Sequence, residues 1–410
     1  MSNDTFIDLF AGCGGLSLGL MRAGWSGVFA IEKSPDAFLT LQHNLINKNI
    51  DGKFQWPEWL PCKGMTTSEL LEKHPEELKS LKGKIKLIAG GPPCQGFSFA
   101  GRRNPKDPRN LLTEEYIKIV KIIQPQFLLL ENVKGFNSAF KQEKGRKEKI
   151  YAEVVKKKLE AIGYIVKHRM CNASDFGVPQ PRARFIMIAY HKNTKINSDP
   201  FALLSNLLPS YKRNKGLCPQ NHITVKEAIS DLEIAGKELI ESIDSKGFLE
   251  IKYEKQELSS YQKLMRSKCN DNSAPNSLRL PRHRKETLNR FERILTSYEK
   301  GKSLTKEQLL ELGTKKQCFT PLHPDMLSRT ITTLPDDLLH YSEPRILTVR
   351  ENARIQSFPD WFEFLGKYTT GGDRRKKECP RYTQVGNAVP PLMAEAIGNT
   401  LMQLNEVESE

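Results

Sequence analysis

Short apolar runs alternate with amphipathic segments through the first 190 residues, and this alternation leaves few architectures open. Thr5–Phe10, Gly27–Glu32, Ile85–Ala89 and Phe127–Leu130 read as strands, followed by strands near Ile165–Met170 and Arg184–Tyr190. Between them Leu16–Ala23, Pro35–Asn47, Glu114–Ile123 and Ile150–Ile162 read as helices. Strand–helix alternation predicts an α/β fold with a mostly parallel sheet covered on both faces. After Tyr190 the pattern breaks. Residues 191–328 are rich in Lys, Asn, Ser and Pro, with Ala202–Leu208, Val225–Leu232 and Glu286–Tyr298 as helix candidates. A final helix, Met393–Leu404, follows Pro390-Pro391 after a Gly386-Asn387 turn and is expected to pack back on the first domain. The predicted division is therefore a larger domain over 1–190, completed by 384–410 and expected, on the motifs below, to be the catalytic and cofactor-binding one, with a smaller domain inserted at 191–383.

The strand ends carry the chemistry. Cys94 lies in Gly91-Pro92-Pro93-Cys94-Gln95-Gly96-Phe97-Ser98, directly after the Ile85–Ala89 strand. Two prolines stiffen the approach and the glycines let a ligand come near the backbone, which suits a presented nucleophile. Glu131 ends the Phe127–Leu130 strand, so thiol and carboxyl are expected at one sheet edge, the pairing of a nucleophile with an acid; a Glu that merely caps the following turn is the plainer alternative. Gln180-Pro181-Arg182-Ala183-Arg184 opens another strand, and alternation sends Arg182 and Arg184 to one side, where they could grip a carbonyl oxygen or a phosphate, or simply face solvent.

At the other end of the edge, Phe10-Ala11-Gly12-Cys13-Gly14-Gly15 joins the first strand to the first helix. Such a turn suits a nucleotide, and Glu32, about 20 residues on, is placed to accept from ribose hydroxyls. Ser17 stands where the third glycine of a dinucleotide fingerprint would fall, and no phosphate loop of the G-x-x-x-x-G-K type occurs. Strand, turn and Glu32 together favour S-adenosylmethionine.

Charge and cysteines narrow the class. A net charge of +15 favours a polyanionic partner. The eight cysteines show no C-x-x-C spacing, so no metal site is expected, and disulfides are not. No run of about 18 apolar residues exists and Met1-Ser2-Asn3-Asp4 lacks signal-peptide character, which points to a cytoplasmic protein without a membrane span.

In order along the chain, these motifs resemble those of the bacterial-type DNA (cytosine-5) methyltransferases. The resemblance covers Phe6 to about Tyr190 and resumes from about Ser328. It rests on Asp8 through Gly15, Gly91 through Ser98, Glu131-Asn132-Val133, Gln180 through Arg184, the Arg-Thr-Ile-Thr-Thr run at 329–333, and Gly386-Asn387. It implies a Rossmann-like methyltransferase fold in which Cys94 adds to C6 of a cytosine flipped out of duplex DNA. Glu131 would hold or protonate N3, Arg184 would hold O2, and Arg182 would support it or meet the phosphate chain. Pro93 and Asn132 would shape the pocket, with Ser98 and Arg109 as further DNA contacts. Phe10, Gly12, Gly14 and Glu32 would hold S-adenosylmethionine, with Asn387 and Val389 closing its pocket. The family's acidic adenine contact has no counterpart in Leu60-Pro61-Cys62-Lys63-Gly64-Met65-Thr66. Residues 191–328 would form the target-recognition region. A restriction endonuclease as functional companion is the family's common setting, a solitary methylase is equally compatible, and a monomeric state is expected. Two other functions remain open at this point. Gln317-Cys318-Phe319-Thr320 resembles a stretch of the tRNA-modifying branch, and a non-catalytic nucleic-acid binder would keep the fold.

Overall fold

The computed structural model describes residues 4–93, 111–138, 150–270, 273–314, 316–370, 374 and 378–406. They fall into two compact units: Met1–Asn172 with Ala183–Pro209 and Pro391–Glu410, and Ala173–Arg182 with Ser210–Pro390. Residues 191–209 thus group with the first unit, and 173–182 and 384–390 with the second.

The first unit is built on six strands: β1 (Thr5–Leu9), β2 (Ser26–Ile31), β3 (Leu87–Gly90), β4 (Phe127–Val133), β5 (Tyr164–Asn172) and β6 (Ala183–His191). Their order in the sheet is β2-β1-β3-β4-β6-β5. β2, β1, β3 and β4 are mutually parallel, while β6 runs antiparallel to both of its neighbours. β3 and the Phe127–Leu130 part of β4 are apolar on both faces and buried, as a sheet covered on two sides requires. Helices α1 (Gly15–Arg22), α2 (Pro35–Gln42), α3 (Thr67–Lys73), α4 (Pro75–Ser80), α5 (Leu111–Ile123) and α6 (Tyr151–Glu160) connect the strands, and α7 (Pro200–Asn214) follows β6. The α2 segment expected to reach Asn47 changes to a π-helical turn over His43–Asn47.

Register fixes what the edge presents. Leu9 pairs with Ile31 on one side and Gly90 on the other, and Gly90 pairs with Leu130. Three parallel strands therefore end level, with Phe10, Glu32 and Gly91 as the next residues, and at that level β4 passes from Leu130 into Glu131 and runs on to Val133 beside β6. On β6, Arg184 pairs with Val133, so its antiparallel start falls at the same edge.

The C-terminal helix, Pro391–Glu406, packs on α1 as expected. Close approach is possible because glycines meet there. A Cβ on Gly19 would lie 2.3 Å from Ala394 Cβ and 2.6 Å from the Pro391 carbonyl oxygen. Gly398 faces Ala23 in the same way, and its carbonyl accepts from Trp25 Nε1 at 3.0 Å.

The second unit has little sheet: an antiparallel hairpin of Leu239–Glu241 with Leu249–Ile251, and a two-residue parallel pair, Thr320–Pro321 with Leu338–Leu339. Short helices carry it, several closed by capping boxes: Thr224 with Glu227, Ser259 with Gln262, Thr305 with Gln308, and Thr348 with Glu351. Each box satisfies otherwise orphaned amides of a helix too short to persist alone. The Gly386-Asn387 step is not the turn expected from sequence. It ends the helix Arg381–Asn387, where Gly386 has the Thr332 carbonyl oxygen 2.3 Å from any would-be Cβ. Among the described residues no helix is long and apolar enough to cross a membrane.

The Gly19 contact gives a test. Ala at a helix interior gains about 1 kcal/mol over Gly in propensity, but the clash here is with backbone of the C-terminal helix. Overpacking, typically about 1–3 kcal/mol, should win. Gly19→Ala is expected to lower the urea midpoint of unfolding; an unchanged or raised midpoint would show that the two helices can separate at no cost.

Candidate active site

The turn after β1 is strained in a way the residue types do not announce. Phe10 takes φ +66°, followed by Gly12 at +57° and Gly14 at +97°. A left-handed non-glycine residue costs roughly 1–2 kcal/mol, and such residues gather at ligand sites. Gly14 N–H donates to the Ala11 carbonyl at 2.9 Å, closing the loop, and α1 starts without a capping side chain. Nothing lies within 4 Å of a Cβ built on Gly12, so space is open above the turn.

Glu32 holds this turn rather than only waiting for a ligand. Its Oε2 accepts from Gly12 N–H at 2.9 Å and its Oε1 from Ser34 N–H at 2.7 Å. Burial raises its pKa, and the bonds from the Ser34 and Gly12 amides oppose that rise. Each carboxylate oxygen keeps a second lone pair, so acceptance from a ribose hydroxyl stays open. The segment without an acidic residue passes alongside, with Met65 N–H donating to the Glu32 carbonyl at 2.8 Å.

Beneath the turn lies a pair that sequence reasoning missed. Asp8, on β1, is fully buried, and Ser17 Oγ donates to its Oδ2 at 2.5 Å. Ser17, which broke the dinucleotide pattern, thus ties α1 to β1. Burial pushes the Asp8 carboxyl up to about 7, against the Ser17 bond, and Oδ1 has no hydrogen-bond partner. The signal was available: an Asp inside an apolar strand needs a donor nearby.

At the centre of the edge, Glu131 and Arg184 meet. Arg184 Nε lies 2.8 Å from Glu131 Oε1, with both side chains mostly covered. Burial lowers the Arg184 pKa and Glu131 works against that, so the guanidinium stays charged. A Cβ on Gly91 would lie 3.1 Å from Glu131 Oε2, which explains glycine there. Asn132 Nδ2 donates to the Pro92 carbonyl at 3.0 Å, and its Oδ1 accepts from Val133 N–H at 2.8 Å. The segment leading into the Pro-Pro-Cys run is thereby fixed to the strand that carries Glu131. Pro93, half-buried, is the last residue described there. Cys94, Ser98 and Arg109 lie outside the described residues.

Arg182 departs from the expected pairing with Arg184. It precedes β6 and is 3% exposed. Its Nη1 donates to the Ile331 carbonyl at 2.7 Å and its Nη2 to that of Gly386 at 2.5 Å. Gln180 acts beside it, donating to the Ile355 carbonyl and accepting from Ile331 N–H. Arg182 therefore supports structure in the second unit through these two carbonyls. Asn387 is exposed and Val389 half-buried, both after Gln356 Nε2 has bonded the Val385 and Ala388 carbonyls. Phe319 and Thr320 are core residues: Phe319 stacks on Phe291 at 5.4 Å and Thr320 meets the Ser303 hydroxyl. Gln317 and Cys318 of the same stretch are exposed. Among the described residues no cluster suited to a metal exists.

A mostly parallel sheet with a glycine turn at one strand end and a carboxylate–guanidinium pair along the same edge is a Rossmann-like arrangement whose strand ends suit a bound nucleotide. The model of the C-5 cytosine-specific DNA methylases matches residues 5–403, and the chain belongs to that family. It is 30% identical to the type II methyltransferase M.DdeI of Desulfomicrobium norvegicum, over 96% of this chain and 88% of that protein. It is 31% identical to M1.HphI of Haemophilus parahaemolyticus, over 98% and 88%. A structure described as a DNA modification methyltransferase encoded within an E. coli prophage superposes with a TM-score of 0.68 at 25% identity, covering 98% of this chain and 99% of that one. Dnmt2 of S. pombe shares the fold, with a TM-score of 0.52 at 16% identity over 98% of both chains. The protein is a DNA (cytosine-5) methyltransferase that uses S-adenosylmethionine. The open space above Gly12 and the carboxylate at Glu32 fit that cofactor.

The Asp8–Ser17 pair predicts a pH dependence. An aspartate that is ordinarily ionised above about 4 but stays protonated to about 7 in the fold stabilises most at low pH. That contribution is lost as pH rises from about 4 through 7, by up to a few kcal/mol. Asp8→Asn should remove this slope. Urea unfolding of both proteins at pH 5 and 7.5 checks it: the variant gains on the parent at the higher pH, and parallel curves would refute the assignment.

Proposed function

We propose that this methyltransferase acts through a covalent Cys94–C6 adduct on a cytosine flipped out of a specific short duplex site, with Glu131 and Arg184 as the groups that polarise the ring. The supporting observation is the arrangement at the β3 and β4 ends. Glu131 lies against Gly91 and on Arg184, and Asn132 holds Pro92 two residues before Cys94.

Cytosine is a poor electrophile, so attack at C6 needs charge drawn toward N3 and O2. Glu131, in its protonated form, donates at N3 as the Cys94 thiolate bonds to C6, and Arg184 holds O2. Electron density then builds at carbon 5. Bound S-adenosylmethionine supplies an electrophilic methyl group on sulfonium, held by Phe10, Gly12, Gly14 and Glu32. After carbon 5 is methylated its proton leaves to a base, the C6–sulfur bond breaks, and Cys94 departs as thiolate. Pro93 and Asn132 shape the approach of the ring, Ser98 and Arg109 contact the DNA, and Arg182 acts by support. Flipping the base costs a few kcal/mol.

The second unit is proposed as the target-recognition domain, because the basic segments Lys212 to Lys215 and Arg279 to Lys285 belong to it. Since the relatives are named type II methyltransferases, a companion restriction endonuclease is part of the reading, with the methyltransferase acting as a monomer.

Methyl transfer from labelled cofactor to duplex DNA and to tRNA tests the substrate, and duplex alone should be labelled. DNA carrying 5-fluorocytosine at the target should retain the protein covalently, and Cys94→Ala should abolish both trapping and transfer. Glu131→Gln should lower kcat by about 10²–10⁴. Full turnover by Cys94→Ala would overturn the mechanism.

A further inference from the structure

In the second unit, rings and guanidinium groups form a ladder. Arg279 lies 4.1 Å from the centroid of Phe248 and 3.7 Å from that of Tyr368. Arg381 lies 4.2 Å from the Tyr368 ring, and Arg282 lies 5.0 Å from Phe248. Three cations thus share two rings. The carboxylate that serves them, Asp244, is engaged at the Arg381 end, where it pairs with Arg381 and accepts from the Tyr368 hydroxyl at 2.7 Å. At the other end neither Arg279 nor Arg282 has a carboxylate partner among the described residues. Arg279 Nη1 bonds Ser245 Oγ at 3.2 Å, and Arg282 Nη2 donates to the Gly247 carbonyl.

The chain beside the ladder has a directional pattern. Residues 280–284 are non-helical, and Arg282 and Arg284 are exposed. Between them His283 turns inward: its ring meets Phe291 at 5.1 Å and its Nε2 accepts from Ile346 N–H at 3.4 Å. Alternation therefore puts two arginines on the outer side of one segment, roughly 6–7 Å apart along an extended chain.

Like charges held together on an exposed surface repel, and a fold does not need them there for stability. Aromatic faces offset part of that repulsion and restrict the side chain to one position. A guanidinium so fixed loses little freedom on meeting an anion with two oxygens. We propose that Arg282, seated on Phe248, is a preset contact to the phosphate chain of the DNA duplex, with Arg284 as its neighbour on the same segment. Arg279 and Phe248 are positioning residues that hold it. This assignment rests on the reading of the second unit as the part that meets DNA.

Binding of the full chain to duplexes of several sequences, titrated between about 50 and 200 mM salt, tests it. Arg282→Ala should lower the slope of log affinity against log salt by about 1, with affinity falling on the order of five- to tenfold at 0.1 M for every sequence alike. Arg282→Lys should keep the slope but recover only part of the affinity, since an ammonium keeps charge without the planar stack. Phe248→Leu should reproduce part of the Arg282→Ala loss, while Lys306→Ala, an exposed cation elsewhere in the unit, should change nothing. Arg282 is exposed, so its variants test the contact even if Phe248→Leu fails to fold. An unchanged slope and affinity in Arg282→Ala overturns the proposal, and so does a loss confined to one base sequence, which would mean base reading. Either result, with the parent methylating duplex DNA, leaves the broader reading intact. A parent that methylates no duplex would sink both.

Discussion

The common register of four parallel strands is the constraint on which the site depends. Parallel pairing points every strand at the same edge, and the register Ile31–Leu9–Gly90–Leu130 brings them to it at one level. The residues at that level become site residues: Glu32, Phe10 and Gly91 just beyond their strands, and Glu131 within β4. A slip of one residue in β4 would send Glu131 to the other face of the sheet and separate it from Gly91. The antiparallel β6 adds what a parallel strand could not, a strand that begins at this edge and delivers Arg184 opposite Val133.

The second unit is organised differently, around buried charge. Arg354, fully buried, pairs with Asp231 at 2.9 Å and Asp360 at 2.5 Å, and Arg266 joins at Asp360. Burial would raise the Asp360 carboxyl, but Arg354, Arg350 and Arg266 outweigh it and hold it below its ordinary range. The Tyr253 and Tyr261 hydroxyls complete the network. An ion cluster of this kind adds little net stability over apolar packing, yet losing one member costs about 3–5 kcal/mol. Its effect here is to bring 231, 253, 266, 354 and 360 to one place, in a unit whose short helices and small sheets could not do so through regular pairing.

Much of this was legible in the sequence and some was not. The strands of the first unit lie within a few residues of where the apolar pattern placed them, because burial on both faces leaves a continuous apolar run in β3 and the start of β4 and one-sided burial leaves alternation in β5. The capping boxes Thr224 to Glu227, Ser259 to Gln262 and Thr348 to Glu351 were also written in the chain as Ser or Thr followed three residues later by Glu or Gln, and would have located short helices that apolar periodicity leaves faint. Arg182 could not be read that way. Strand alternation puts it beside Arg184, but β6 starts one residue later, so the alternation does not extend to it. Its direction is set by carbonyls about 150 and 200 residues away.

The sequence alone determined the α/β class, the glycine turn, the carboxylate at a strand end and the family, because each is a local pattern of size, polarity and backbone freedom. Tertiary structure decided which of those groups touch. That Glu32 braces Gly12, that Ser17 answers Asp8, that Glu131 takes Arg184, and that Arg182 turns to Ile331 and Gly386 all depend on distances between residues remote in the chain. Local periodicity carries no term for such distances; they appear only when the sheet closes in register and the interior must find a partner for each buried charge.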